Sequence, residues 1–162
     1  MSNSETQELQ EGLRSARDAV LAAIGGASEP EAHEVPAPGE WTVAQLLGHI
    51  TEIHSFWVAR AVLVIREDDP DVARTAVDND QRIAAVTYHA QHSLADLEQR
   101  MIAANEEAVA AVGRIDPKDL ERPEHREADP VTAGGVIQHL AWHVREHTGQ
   151  IAEARRLIRE KH

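Results

Sequence analysis

Three histidines recur at every fourth position near the C-terminus, as His139, His143 and His147. On an α-helix, side chains four residues apart lie on one face, so two neighbouring imidazoles can bind one ion. Neutral imidazole is the commonest protein ligand for metals such as zinc, nickel, copper and iron. A further histidine, His49, lies in a second apolar segment far upstream. The spacing therefore predicts an open metal site shared by two packed helices.

The helical wheel selects which histidines face inward. At about 100° per residue, His147 falls inside the apolar arc of the last helix, and His143 lies at its edge. His139 lies further out, towards the rim. In the upstream helix, His49 lies close to the centre of the apolar arc, whereas His54 lies near its far margin. We therefore predict His49, His143 and His147 as the metal ligands.

A simpler explanation holds for any one of these residues. A single histidine on an apolar face is usually a core residue with one hydrogen-bond partner. Three inward imidazoles in an aliphatic core are harder to accommodate, since each needs a partner, and one shared cation satisfies all three. The other histidines are predicted to be solvated: His33, His89, His92, His125 and His162.

Other site chemistries fit the residues poorly. A carboxylate-bridged di-iron bundle needs Glu-x-x-His motifs, but here Glu52 follows His49, and both Glu52 and Glu146 are expected to point towards the rim. A Ser-His-Asp hydrolase would need a nucleophile elbow, which the sequence lacks. Gly134 and Gly135 open a helix without the lysine of a phosphate-binding loop.

Composition restricts the partners. The 162 residues predict one domain, 1–162, with 16 basic and 28 acidic residues and a net charge of −12. Such a surface repels nucleic acid and anionic membranes, so neither partner is expected. Cysteine is absent, so any thiol chemistry would require a small-molecule thiol. Without a signal peptide or a long apolar run, we expect a cytoplasmic location.

The periodicity predicts four long helices and no strand. They span about residues 6–24, 43–66, 93–113 and 132–159. Thr42 and Gln45 form a capping box before the second helix, and Ser93 and Thr132 are N-cap candidates for the last two. Asp68, Asp69 and Pro70 should end the second helix. Residues 27–40 and 116–130 are predicted loops, and residues 71–91 are ambiguous, with a short helix around 81–89. The fold class is therefore all-α, a four-helix bundle in which sites form between facing helices.

Two motifs resemble the DinB-like family (the DinB/YfiT type). The first is Trp41-Thr42 followed by His49, and the second is the closing His143-x-x-x-His147-x-Gly149-Gln150. The resemblance implies an up-down-down-up bundle. It also implies a divalent metal, zinc or nickel, held by three histidines that fall on the ligands chosen from the wheel. Relatives of this type include thiol-dependent S-transferases and a mycothiol-dependent maleylpyruvate isomerase.

The resulting hypothesis is a metal-dependent enzyme. It would use a small-molecule thiol, such as mycothiol, to transfer to or isomerise a small electrophilic substrate. Three alternatives stay open: a metal-dependent hydrolase at the same site, a metal-binding or ligand-binding bundle without turnover, and a plain bundle without metal. No residue beyond the three ligands is assigned a catalytic or cofactor-binding role. Long apolar helices and the frequency of two-fold dimers predict a homodimer.

Overall fold

The computed structural model describes residues 2–67, 72–121 and 131–162, and this part of the chain contains seven helices and no strand. Four of the helices are long and correspond to the predicted bundle. The helices are α1 (Ser2–Ile24), α2 (Glu29–His33), α3 (Val43–Arg66), α4 (Ala76–Ala90), α5 (Leu94–Arg114), α6 (Pro117–Leu120) and α7 (Ala133–Lys161).

The predicted caps begin the long helices. The Thr42 hydroxyl accepts a hydrogen bond from the Gln45 amide at 3.0 Å, and the Gln45 side chain accepts one from the Thr42 amide at 2.8 Å. Ser93 and Thr132 cap α5 and α7 through backbone amides three residues on. Each cap satisfies an amide that has no partner inside the helix, which is why these helices begin where the sequence predicted.

The connections contain more helix than the sequence indicated. Residues 27–40, predicted as a loop, include α2, which Ser28 and Glu31 begin with a capping box. The ambiguous segment forms the 15-residue helix α4 rather than a short helix over 81–89. The four-residue helix α6 lies at the start of the predicted polar loop. The helices α2 and α6 are too short for apolar periodicity to be recognised, and α4 buries only Val86, so its apolar stripe is weak. The stop at 68–70 and His125 lie outside the described residues.

Pairs of contacts establish the direction of each helix. Arg145 donates to the Ser15 hydroxyl at 2.8 Å, and Arg155 donates to the Ala23 carbonyl at 2.8 Å. Residue numbers thus increase together along α1 and α7, which are parallel. The helices α1 and α5 are antiparallel, because residue numbers rise along α1 as they fall along α5. Gln10 donates to the Val109 carbonyl at 3.0 Å, and the Leu13 carbonyl accepts from Asn105 at 2.9 Å.

The same reasoning orients α3. His49 packs against His147 at 4.5 Å between ring centroids, and Trp57 packs against His139 at 4.7 Å, so α3 and α7 are antiparallel. The long helices therefore run up, down, down and up. Because α3 and α5 are parallel, the chain must cross the length of the bundle between them, and α4 forms this crossover.

Aliphatic side chains fill the core, and aromatic residues make up only 3% of the sequence. The apolar stripe of α1 is entirely buried, and so is the apolar arc of α7. The stripe and arc residues are Leu9, Leu13, Ala16, Val20 and Ile24 on α1, and Val136, Leu140, Ile151, Ala154 and Ile158 on α7.

In the described part of the chain, no helix is long and apolar enough to span a membrane.

One polar connection crosses this core. The Asn105 amide donates to the Leu13 carbonyl at 2.9 Å and lies 3.2 Å from His54 Nε2. His54 Nδ1 lies 2.7 Å from the Ile50 carbonyl, so the proton is assigned to Nδ1 and Nε2 accepts from Asn105. His54 is fully buried and contacts Asn105 on α5. Burial lowers its pKa below the ordinary 6.5, so it stays neutral.

Candidate metal centre

Three predicted ligands meet between α3 and α7. His49 comes from α3, and His143 and His147 lie one turn apart on α7. One ring nitrogen from each lies within 4.8 Å of the others. His49 and His147 are buried, and the His143 side chain is 25% exposed. The antiparallel packing of the two helices brings together residues separated by almost a hundred positions in the chain.

The spacing of these nitrogens suits a cation. Nε2 of His143 and Nε2 of His147 are 3.2 Å apart. A tetrahedral zinc with bonds of about 2.0–2.1 Å separates two ligand nitrogens by roughly 3.3 Å. Two lone pairs at this distance repel, so the two atoms must share either a proton or a cation. We refer to His49, His143 and His147 as the histidine cluster.

Each member of the cluster has an acceptor beside its other ring nitrogen. His147 Nδ1 donates to the Gln150 amide oxygen at 2.8 Å. His49 Nδ1 lies 3.0 Å from a Glu52 carboxylate oxygen, and His143 Nδ1 lies 3.3 Å from a Glu146 oxygen. In these last two pairs the oxygen lies off the N–H axis, so both buried Nδ1 atoms lack an aligned hydrogen bond. Protons on Nδ1 leave Nε2 free for a metal.

The electrostatics keep His143 and His147 neutral. Burial, together with the neighbouring imidazoles of His147, His49 and His139, lowers the pKa of His143 from 6.5 to about 4. Burial also lowers the pKa of His147. At neutral pH both rings are therefore unprotonated, which is the form that binds a metal.

Aromatic rings surround the cluster, although the chain has only three tryptophans, one tyrosine and one phenylalanine. Trp41 packs edge-on against His49 at 5.3 Å between ring centroids. Trp57 and Trp142 lie 4.7 Å and 5.7 Å from His139. All three tryptophans thus lie beside the cluster or beside the histidine one turn before it. Trp142 is 58% exposed, so the border of the cluster formed by Trp57 and Trp142 is open to solvent.

A cleft of about 650 Å³ adjoins the cluster on the side of the α2–α3 connection. Trp41 and Leu46 form one wall, while Glu146, Gln150 and Ala154 form the other. The cleft therefore reaches the residues that contact the Nδ1 side of the cluster. The border formed by Trp57 and Trp142 lies towards the opposite end of α7.

The two histidines excluded by the wheel do not join the cluster. His139 is exposed and stacks on His143 at 5.6 Å between ring centroids, with the rings inclined by 16°. His54 is buried but makes its contacts with α5. The helical wheel assumed a single buried face on α3 and therefore placed His54 at the margin. The helix packs against both α5 and α7, so it has two buried faces.

The contacts of the carboxylates around the cluster were missed as well. Glu146 lies at the rim as expected, 46% exposed, and also contacts His143. Glu52 was expected at the rim but is only 11% exposed and contacts His49. Arg74 binds Glu52 at 2.7 Å, and its guanidinium lies over the Phe56 ring at 3.9 Å. The three-residue spacing was a usable signal for the glutamates, whereas nothing local pointed to Arg74.

Comparison with known proteins agrees with the four-helix bundle. The sequence model of the DinB superfamily matches residues 13–151. A similar solved structure is YfiT from Bacillus subtilis, described as a probable metal-dependent hydrolase with an unusual four-helix bundle topology. Its TM-score is 0.70 at 15% identity, over 96% of this chain and 89% of that one.

Two further solved structures share the fold. A protein from Streptococcus pneumoniae has a TM-score of 0.68 at 12% identity, covering 96% of this chain and 90% of its own. A conserved protein from Enterococcus faecalis has a TM-score of 0.65 at 18% identity, covering 94% and 95%. No curated protein matches the sequence. At these identities the structures establish the four-helix bundle and its topology.

Proposed function

This chain belongs to the DinB superfamily, and we propose that it is a divalent-metal-dependent enzyme whose cation is held by His49, His143 and His147. The observation that carries the proposal is the convergence of three ring nitrogens within 4.8 Å from two helices. Three imidazoles suit zinc or nickel. Three protein ligands also leave a position for a further molecule, which is the arrangement of catalytic rather than structural sites.

The residues in and around the histidine cluster would favour the formation of a nucleophile at a bound cation. A divalent cation bound here would lower the pKa of a coordinated water or thiol, so that a nucleophile forms near neutral pH. The low pKa of His143 keeps that ligand unprotonated, and Gln150 holds the His147 ring in a fixed orientation. Trp41 covers one side of His49 and shields it from water.

The nucleophile we favour is a low-molecular-weight thiol such as mycothiol. The chain has no cysteine, so no protein thiol competes for the cation. In the reaction, the thiol sulfur forms a bond to an electrophilic carbon of the substrate and the thiol proton passes to solvent. In a transfer, the leaving group departs with its bonding electron pair. In an isomerisation, the thiol adds and is later expelled.

The surroundings favour a small neutral or cationic substrate. The net charge of −12 disfavours anions approaching from solution. Trp57, His139 and the exposed Trp142 provide apolar ring surface beside His143, where the apolar part of a small molecule can pack. Nucleic acid and membranes are not partners in this proposal.

A second candidate is a metal-dependent hydrolase at the same cluster. It is favoured by the likeness to YfiT, which is described as a probable metal-dependent hydrolase. Water would then replace the thiol as the nucleophile, and the ligands would be unchanged. The two candidates differ only in which molecule reaches the open position.

Metal titration tests the cluster. Protein stripped with a chelator is reloaded with zinc or nickel, and binding is measured by calorimetry. We expect one ion per chain in the wild type and in His139→Ala, which removes an exposed ring outside the cluster. His143→Ala and His147→Ala should each weaken binding severely, because each removes one of three ligands. Equal losses in His139→Ala and His147→Ala, or no binding by the wild type, would contradict the assignment.

Turnover assays test the chemistry. Loaded and metal-free protein are compared with mycothiol, bacillithiol or glutathione and a small electrophile, and loss of thiol is followed. We expect faster loss with the loaded protein only. If no thiol reacts faster, and ester or amide substrates are hydrolysed instead, the hydrolase is favoured. Inactivity in both assays would point to a binding role without turnover.

A further inference from the structure

We propose that Glu52, Glu146 and Gln150 are positioning residues that hold the histidine cluster in one tautomer, and that Arg74 fixes Glu52 in this role. The proposal rests on the proposed function, since it concerns the same cluster. It assigns roles to four residues that do not bind the cation themselves. The carboxylate or amide oxygen would hold each ring with its proton on Nδ1 and its lone pair on Nε2.

The spacing singles out the cluster. Each cluster histidine is followed three residues later by a glutamate or glutamine, and no other histidine in the sequence is. Residues three apart are neighbours on a helix surface, so the acceptor lies beside the ring one turn away. The three Nδ1-to-oxygen distances are 3.0 Å at Glu52, 3.3 Å at Glu146 and 2.8 Å at Gln150.

An acceptor beside Nδ1 determines where the proton lies. A carboxylate or amide oxygen repels a lone pair and attracts an N–H, so each contact favours the Nδ1–H form. The buried Nδ1 atoms of His49 and His143 have no aligned partner. Small rotations of the two glutamate side chains would place their oxygens on the N–H axes. Such outer partners orient metal-binding imidazoles and raise their basicity.

Glu52 is the most constrained of the three. Its side chain is 11% exposed, and a buried carboxylate needs a cationic partner. The same oxygen contacts His49 Nδ1 and, at 2.7 Å, an Arg74 nitrogen. Arg74 lies in the segment before α4 and stacks over Phe56. The crossover that makes α3 and α5 parallel thus supplies the cation that holds Glu52 against His49.

Zinc affinity is the first readout. We expect Glu52→Ala and Gln150→Ala to weaken binding by about 10–100-fold, the usual effect of losing such a partner. Glu52→Gln, which keeps an acceptor oxygen, should lie closer to the wild type. Glu153→Ala is the control, because Glu153 is on α7 but contacts Arg156 rather than the cluster. Glu146→Ala should have a smaller effect than Glu52→Ala, since Glu146 is 46% exposed.

The second readout needs no metal. Nitrogen-15 spectra of the imidazoles in metal-free protein distinguish Nδ1–H from Nε2–H. We expect Nδ1–H at His49 in the wild type, and a mixture of the two tautomers at His49 in Glu52→Ala. A purely structural role for Glu52 would leave the tautomer unchanged. Circular dichroism confirms the fold of each variant, and if Glu52→Ala does not fold, Gln150→Ala decides.

The outcomes separate this proposal from the proposed function. If the wild type binds zinc and the alanine variants bind it as Glu153→Ala does, the positioning role is wrong and the metal site stands. If the wild type binds no metal, the proposed function fails, and the spectra alone decide the positioning role. Nε2–H at His49 in metal-free wild-type protein would overturn the role of Glu52 in either case.

Discussion

Arg155 is expected to be the most sensitive charged residue of the bundle. It is 6% exposed. Its guanidinium binds the Glu31 carboxylate at 2.9 and 3.3 Å, and donates to the carbonyls of Ala23 at 2.8 Å and Gly25 at 3.0 Å. It therefore joins α7 to the end of α1 and to α2. The chain continues from α2 to Trp41, so this contact also supports the wall of the cleft beside the histidine cluster.

The loss in free energy of unfolding follows from the groups that Arg155→Ala leaves without a partner. The Glu31 side chain, 13% exposed, would lose its main partner, and two carbonyls would lose a donor. Breaking a buried ion pair from one side costs about 3–5 kcal/mol, and the remaining exposure of Glu31 favours the lower end. For a chain of this length, a loss of about 3 kcal/mol lowers the Tm by roughly 6–12 °C.

The neighbouring Arg156 provides the matched control. Its side chain is 54% exposed and pairs with Glu153 and Glu160 on the same helix. Arg156→Ala should leave the Tm nearly unchanged, since exposed pairs contribute little. Urea unfolding followed by circular dichroism measures both variants. The double variant Arg155→Met with Glu31→Leu should recover much of the loss, because no buried charge is left unpaired.

The pH dependence gives an independent check on this pair. The hydrogen bond from Arg155 lowers the pKa of Glu31 below its ordinary 4.5. The pair therefore contributes stability that is fully present above the unfolded pKa and is lost as pH falls through the folded pKa. Arg155→Ala should lose this acid-sensitive part. Equal unfolding midpoints for the Arg155 and Arg156 variants, with the same pH profile, would refute the reasoning.

Three other predictions use the same unfolding or solution measurements. Burial lowers the pKa of His54 below 6.5, so the unfolded chain binds the proton more readily than the folded chain. The free energy of unfolding should therefore fall as pH drops below about 6.5. His54→Gln should make this dependence on pH weaker. Gly48→Ala should cost about 1–3 kcal/mol, because the new Cβ would lie 2.9 Å from His89 Cβ. Gly149→Ala, which meets no atom within 4 Å, should instead stabilise α7 by about 0.5–1 kcal/mol; stabilisation by both changes would contradict the packing. Light scattering should give twice the 17.8 kDa chain mass at micromolar concentration, and a monomer mass would rule out the expected homodimer.

Local physics made the long helices and the cluster predictable. Apolar residues between Leu9 and Ile24 recur with the period of a helix. Thr42 and Thr132 have hydroxyl side chains, which cap the start of a helix. Both signals act over a few residues, so they need no knowledge of the fold. His143 and His147 share a face for the same reason. Their meeting with His49 could be predicted because all three lie in or at the edge of apolar arcs, and such arcs pack against each other.

Tertiary packing decided what surrounds the cluster. An apolar arc shows that a residue is buried but not which neighbouring helix covers it, so His54 faces α5 while His49 faces α7. The inward position of Glu52 depends on Arg74, which lies 22 residues away and is brought near by the crossover through α4. The link of Glu31 to Arg155 spans 124 positions. Such pairs depend on the directions of the helices, and periodicity along one helix does not contain that information.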